Sequence, residues 1–330
     1  MKRTIVTCII SVFFFSYSLA ALPVTTVNFD ESMSRNIGYD VQFAEKNDDW
    51  KIFKGLYESY RKEISSNRYS YSTTDVFQLI KKKLLPTSAF YKIPRFIHFI
   101  WLGSPLPERC KPLVESWKKM HPEWTVKVWT EADLDQFNLK NKEAFDKATN
   151  YGEKSDIWRY EILYRFGGVY VDTDFECLRP FDAIHQTCDL YAGASYGKEA
   201  ILYNGLIGSI PNHPIIKACI DSIKVGPGDN NSGRIIQTTG PIHFTNCFLS
   251  LANTLQGKLV PFPVTFFYPF PNINRFDTQN HELIKQKWLC PESYALHYWA
   301  TSWVKEETPE KKESKTTRER KRLHYQKVLK

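Results

Sequence analysis

The chain has 330 residues, 42% hydrophobic and 15% aromatic, which is enough to bury a substantial core and points to one main domain with additions. Its formal net charge is +8, but ten Lys or Arg against five Glu between Lys305 and Lys330 put five of those charges in a basic tail at 305–330. That tail reads as a solvated end, with attraction to anionic lipid or glycan as the alternative.

The chain opens with Met1-Lys2-Arg3 and continues into the apolar run TIVTCIISVFFFSYSLAALP, with a Ser18-x-Ala20 site. This is the pattern of a signal peptide over 1–21. Left uncleaved, the run approaches the length needed to span a bilayer, but Thr7, Cys8, Ser11, Ser16 and Ser18 favour cleavage. Export disfavours nucleic acid as a partner. It implies the periplasm or the exterior for a bacterial chain and the Golgi lumen or membrane for a eukaryotic one. Cys8 leaves with the signal, and Cys110, Cys177, Cys188, Cys219, Cys247 and Cys290 remain. Disulfides and buried free thiols fit this set equally, and the absence of Cys-x-x-Cys spacing speaks against a structural zinc.

A helical extension is expected over 22–91. From Asp40 to Ile64, Val41, Phe43, Trp50, Phe53, Leu56, Tyr57 and Tyr60 recur at helical spacing. The run DVFQLIKKKLL at 75–85 is a second short helix, stopped by Pro86. These segments read as a lid or acceptor-side appendage. The chain then alternates: a helix over 111–120, a strand over 125–129 and a helix over 132–137, the pattern of an α/β domain.

The segment YGEKSDIWRYEILYRFGGVYVDTDFECLRP, 151–180, carries the most chemistry. Ser155 is the expected N-cap of a helix over 156–166, with Ile157, Tyr160, Glu161 and Tyr164 on one stripe and Trp158, Ile162 and Arg165 on the next. Gly167 and Gly168 stop it. Val169, Tyr170 and Val171 form a buried strand that delivers Asp172 and Asp174, which strand alternation would place on one face. Two such carboxylates suit Mg2+ or Mn2+ carrying a diphosphate. Alone, an acidic triplet more often decorates a loop. Asp156 and Arg159, three apart, read either as a helix ion pair or as a grip on a ribose hydroxyl and the diphosphate or base. Downstream, 211–223 reads as a helix, 238–251 as a turn and helix, and 260–270 as a strand-rich loop. The segments 191–202 and 226–239 read as pocket-shaping loops, and Asn230-Asn231-Ser232 is a glycosylation acceptor pattern.

Three blocks, IPRFIHFIWLGSPLP (93–107), KSDIWRYEILYRFGGVYVDTDFECLRP (154–180) and LHYWATSW (296–303), resemble in order and spacing the DXD-containing sugar transferases. That family includes Golgi mannosyl- and galactosyltransferases and bacterial members, with a core similar to that of the clostridial glucosylating toxins. The resemblance covers 93–304 and implies a GT-A fold, that is, a Rossmann-like α/β domain binding a nucleotide sugar, over 92–304. It implies metal-dependent, retaining transfer of a hexose from a UDP- or GDP-sugar to a glycan, lipid or protein acceptor, with Mn2+ or Mg2+ as cofactor. By the same resemblance, Trp101 stacks on the base, Asp156 and Arg159 contact the nucleoside and donor, and Asn204 lies beside the donor sugar. Asp174 binds metal, Asp172 contacts ribose or sugar at the metal's edge, His297 is a further metal ligand, and Ser302 and Trp303 close over the diphosphate. Trp158, standing where the family commonly has an aliphatic residue, would shape the base pocket. The toxin likeness adds peripheral membrane contact by the extension. Read without the resemblance, Trp101 and Trp303 are core tryptophans, His297 a core histidine, Asn204-Gly205 a turn, and the aromatic stripe of the extension packing. Two rival functions are a non-catalytic carbohydrate-binding or effector protein on the same fold and a haloacid-dehalogenase-like phosphatase. Glu176, where the latter has Thr or Val, weighs against the phosphatase.

Overall fold

The computed structural model describes residues 27–35, 39–66, 91–195, 199–277 and 280–300. The export segment, the helix expected at 75–85, Ser302, Trp303 and the basic tail lie outside them. Short, largely buried strands build a six-stranded sheet: β1 Phe96–Ile100, β2 Thr125–Trp129, β3 Gly168–Val171, β5 Leu190–Ala194, β6 Leu202–Ser209 and β7 Leu259–Phe262, in the order β2-β1-β3-β6-β5-β7. β1 runs parallel to both β2 and β3, β6 is antiparallel to β3 and β5, and β7 is parallel to β5. The chain leaves β1, forms β2 on one side and returns to lay β3 on the other. That reversal opens a crevice at the carboxyl ends of β1 and β3, where open α/β sheets bind ligands. This is the α/β architecture expected for a GT-A domain. A separate two-stranded sheet pairs β4 Phe175–Cys177 with β8 Ala295–His297, setting Phe175 opposite His297.

The helix at Lys111–Met120 and strand β2 stand where the sequence placed them, and the third expected element is a 3-10 turn, Glu131–Asp133, running into Leu134–Phe137. The central helix starts earlier than predicted. It spans Tyr151–Phe166, capped by Asn150, whose side chain accepts from the backbone N–H groups of Gly152 and Glu153; Ser155 lies inside it. Its whole middle is buried, from Glu153 to Leu163, apart from the partly covered Lys154 and Ser155. This all-round burial explains why no single apolar stripe marked its start. Gly167 and Gly168 end it at φ +61° and +94°, where an added Cβ would meet Pro211 Cδ at 2.7 Å and the Phe96 carbonyl at 2.6 Å.

The extension forms helices at Phe29–Ser34, Val41–Ala44 and Asp48–Ser66, so the face read as continuous from Asp40 is interrupted before Asp48, where Asn47 accepts from the Trp50 N–H. Trp50, Phe53, Tyr57, Tyr60 and Ile64 are buried along Asp48–Ser66, and the rings of Tyr57 and Tyr60 meet Phe262 of β7 edge-on at 6.1 and 5.9 Å. The aromatic stripe is therefore packing against β7, at the sheet edge far from β2. No helix among the described residues is long and apolar enough to cross a membrane. The six described cysteines are free thiols.

Candidate donor and metal site

The sequence expected Asp172 and Asp174 to share a face by strand alternation. The structure joins them differently. β3 ends at Val171, a turn closed by the Phe175 N–H on the Asp172 carbonyl follows, and Asp174 immediately precedes β4. Asp172 is held to the main sheet through its N–H on the Gly205 carbonyl at 2.8 Å, while the Asp174 carbonyl accepts from the Tyr298 N–H at 3.0 Å, beside β8. One turn thus carries the two carboxylates from one sheet to the other.

His297 joins them. Its Nε2 lies 2.9 Å from Asp174 Oδ1, and Asp172, Asp174 and His297 each present a ligand atom within 4.8 Å of the others. The imidazole stacks on Phe175 at 4.3 Å and against Trp299 at 4.1 Å, so packing fixes its plane. Its Nδ1 is buried with no hydrogen-bond partner among the described residues, leaving Asp174 as its polar tie. Strand β8 stops at His297. Trp299 adopts φ +55°, an uncommon conformation for a non-glycine residue, and its indole donates to the Phe270 carbonyl at 2.7 Å. The reversal brings the Ala300 N–H to 2.7 Å from Asp174 Oδ2. Burial works to raise the Asp174 carboxyl, but His297 and the Ala300 N–H outweigh it and hold the group below the ordinary range.

Arg159 organises the other half. Buried on the Tyr151–Phe166 helix, it lies 2.9 Å from Asp156 and 3.5 Å from Asp172, donates to the Asn204 carbonyl at 2.6 Å, and sits 4.3 Å over the Tyr170 ring. Asp156 accepts from Asn204 Nδ2 at 2.8 Å and from the Thr239 hydroxyl at 3.2 Å. Burial nonetheless pushes its carboxyl up to about 6, against the pull of Arg159. The Asp172 carboxyl is also raised, by burial first, although Arg159 opposes it and the Tyr170 hydroxyl donates to it at 2.7 Å. Asn204-Gly205 is not a turn; both residues lie in β6, whose early part runs past the end of β3. Gly205 is required there because a Cβ would stand 2.7 Å from Asp172 Oδ2.

Trp101 follows β1 and is half-buried, with its indole donating to Ser104 at 3.2 Å. The parallel pairing of β1 and β3 puts it on the same sheet edge as Asp172. Trp158 does not shape a pocket. It is fully buried against Trp129, Phe137 and Phe145, with ring centroids 5.6 to 6.1 Å away. The segment read as a loop over 226–239 contains the helix Ser232–Thr238, capped by Asn231 and tied to the central helix by Arg234, which grips both carboxylate oxygens of buried Glu153 at 2.6 and 2.9 Å. That helix delivers Thr239. Thr239, Tyr170, Gly205 and the Ala300 N–H were not foreseen. Of these only Tyr170 and Gly205, adjoining motif residues, carried any local signal.

Residues 107–190 match the family model described as glycosyltransferase sugar-binding region containing DXD motif. The chain is 32% identical over 140 residues to inositol phosphoceramide mannosyltransferase 1 of Schizosaccharomyces pombe, covering 40% of this chain and 43% of that protein. It is 30% identical over 146 residues to mannosyl phosphorylinositol ceramide synthase CSH1 of Saccharomyces cerevisiae, covering 42% and 38%. The chain thus spans about two fifths of the length of these curated relatives. Among solved structures, the catalytic domain of alpha-toxin from Clostridium novyi aligns with a TM-score of 0.42 at 8% identity, covering 92% of this chain and all of that one. The two carboxylates joined by one turn at the sheet's switch point thus fall inside the segment, 107–190, over which the chain is similar to the DXD-containing sugar-binding region of glycosyltransferases.

Proposed function

We propose that the protein is a metal-dependent glycosyltransferase that moves a hexose from a nucleoside-diphosphate sugar, UDP- or GDP-linked, to a glycan, lipid or protein acceptor. The observation that carries this reading is the convergence of Asp172, Asp174 and His297 beside Arg159 at the switch-point crevice. Enzymes with the DXD region generally use a divalent metal. Two carboxylates and an imidazole suit Mn2+, and the carboxylates alone suit Mg2+. Asp174 and His297 would hold the ion with Asp172 at its edge, and the bound cation would neutralise charge gathering on the leaving diphosphate.

The chain's own residues supply the rest. Arg159, fixed by Asp156 and the Asn204 carbonyl, adds a preorganised positive charge beside the diphosphate without having to reorient during the reaction. Asp156, held by Asn204 and Thr239, orients Arg159 and the donor's ribose. Trp101 stacks on the base and Asn204 borders the sugar. By the resemblance, Ser302 and Trp303, which lie outside the described residues, would close over the phosphates and exclude water, which would otherwise hydrolyse the donor. Retention of configuration follows from the resemblance, and front-face attack guided by the leaving phosphate needs no enzyme nucleophile. We assign the protein to the exported or secretory compartment from its N-terminal pattern, with no role for nucleic acid. Because relatives are named mannosyltransferases of inositol phosphoceramide, a mannosyl donor and a lipid acceptor head the trial set.

The test is release of nucleoside diphosphate from a panel of UDP- and GDP-sugars with Mn2+, Mg2+ or chelator, comparing wild type with Asp174→Ala. Metal-requiring turnover of one donor, lost in the variant, is expected. Absence of both turnover and metal-dependent nucleotide binding would overturn the assignment and favour a binding or structural role, and binding without turnover would point to a missing acceptor or partner.

A further inference from the structure

A second ligand cluster lies away from the carboxylates. Cys219 sits on the helix Pro214–Asp221, while His243 and Cys247 lie four residues apart on the helix Pro241–Ala252, a spacing that puts both on one face. The two sulfurs and one imidazole nitrogen all lie within 4.8 Å of one another, and all three residues are buried. We propose that Cys219, His243 and Cys247 form a zinc site that clamps these two helices together.

Two thiolates and an imidazole are a soft, nitrogen-sulfur donor set that selects Zn2+ over the hard cations suited to the carboxylates. Around a tetrahedral zinc, with bonds of about 2.3 Å to sulfur and about 2.0 Å to nitrogen, ligand atoms stand roughly 3.5 to 3.8 Å apart. From separations of up to 4.8 Å the cluster therefore needs to contract by about 1.3 Å at most, a shift within reach of side-chain rotation. His243 Nε2 meets the Cys219 carbonyl at 2.9 Å, and ligation through Nδ1 would keep that hydrogen bond as the outer partner a ligating imidazole requires. Ser222 Oγ, 3.5 Å from Cys247 Sγ, borders the fourth position, which it or a water would complete. The absence of Cys-x-x-Cys spacing hid this group, because 28 residues separate the two cysteines in sequence and the packing of the two helices brings them together.

The clamp lies behind the donor site. The His243 ring packs 5.9 Å from Tyr160, whose hydroxyl donates to the Thr239 carbonyl at 2.8 Å and accepts from Asn204 Nδ2 at 3.4 Å. Zinc would thus stiffen the support of the two residues that hold Asp156, and the assignment stands whether or not the donor-site reading does.

The experiment is metal analysis of the full chain, purified reduced, without a histidine tag, and supplied with Zn2+. One zinc per chain is expected, released in step with the modification of two thiols by a mercurial. Replacement by Co2+ should give a thiolate charge-transfer band. Cys219→Ser and Cys247→Ser should abolish the band and the stoichiometric zinc, while Asp174→Asn keeps both. Wild type that binds no zinc while reduced overturns the proposal, and this arm does not depend on any variant folding. So does a Co2+ thiolate band retained by both cysteine variants, a signal that metal held by Asp172, Asp174 and His297 cannot give. A chain isolated two hydrogens light, with Cys219 joined to Cys247, would replace the clamp with a disulfide.

Discussion

Gly205→Ala tests the donor-site geometry without altering a charge or a hydrogen-bonding group. Gly205 lies in β6 without a positive φ, so its backbone accepts alanine, but the new methyl would stand 2.7 Å from Asp172 Oδ2. Relief to an ordinary contact near 3.4 Å needs a shift of about 0.7 Å. The carboxylate cannot swing freely, because Tyr170 donates to it at 2.7 Å and Arg159 stands 3.5 Å away. Overpacking of this kind costs about 1–3 kcal/mol, and displacement of a positioned group by about 1 Å costs up to 10²-fold in rate. We expect a loss of about 1–2 kcal/mol in urea unfolding and a 10- to 100-fold fall in kcat for nucleoside-diphosphate release. The decisive comparison is a double-mutant cycle with Asp172→Ala, which removes the group the methyl strikes. The stability cost of Gly205→Ala should then shrink by at least 1 kcal/mol. Strict additivity of the two substitutions, or a Gly205→Ala enzyme with wild-type rate, would show that Asp172 is not held where this reasoning needs it.

Three further outcomes are expected. Burial pushes His98 down to about 4, with its Nε2 facing the Gly167 carbonyl at 2.9 Å, whereas the unfolded chain titrates near 6.5; its contribution is therefore complete above about pH 6.5 and is lost as pH falls toward 4. Asp156, raised to about 6, works in the opposite direction, so the measurement is the difference between proteins: between pH 7.5 and 5, wild type should lose about 2 kcal/mol more urea stability than His98→Gln. Arg234→Ala leaves the Glu153 carboxylate buried without its bidentate partner and should cost about 3 kcal/mol, the low end for a buried pair because the Arg234 side chain is 17% exposed. A loss below about 0.5 kcal/mol would show that the pair does not anchor the Thr239 helix. Trp158→Phe should lower stability by about 1–3 kcal/mol while leaving the donor KM unchanged, and a selective KM effect would return Trp158 to the base pocket.

The helix Lys111–Met120, strands β2 and β3 and the glycine stop at Gly167-Gly168 were legible in the sequence because local rules set them, whereas β4 was not expected and the segment read as a loop over 191–202 holds most of β5. The start of the central helix was not, because burial on nearly every side erased the amphipathic stripe that would have separated Asn150 from Ser155 as its cap. Asp156 and Arg159 could be picked out by spacing, but not Thr239, which reaches Asp156 across 83 residues of chain. Likewise, the sequence indicated a carboxylate pair without showing that the turn between them crosses from one sheet to another. Trp158 was misread for a related reason. A tryptophan inside a functional motif carries the same letter whether its ring faces ligand or core, and only the neighbouring Trp129, Phe137 and Phe145 decide.

That crossing has a mechanical consequence. Asp172 is set by the six-stranded sheet through Gly205, Tyr170 and Arg159, whereas Asp174 depends on a two-stranded sheet of three residues per strand, which is marginal on its own. What steadies the smaller sheet is aromatic: Phe175 stacked on His297 at 4.3 Å, Tyr268 edge-on to the same imidazole at 5.6 Å, and Trp299 anchored through the Phe270 carbonyl. The apolar packing of β4 and β8 therefore helps to fix the distance between the two acids, alongside their own hydrogen bonds. The strained conformation of Trp299 follows from the same requirement: without the chain reversal there, the Ala300 N–H would not reach Asp174, and the acid most firmly held in its ionised form would lose one of the groups that keep it so.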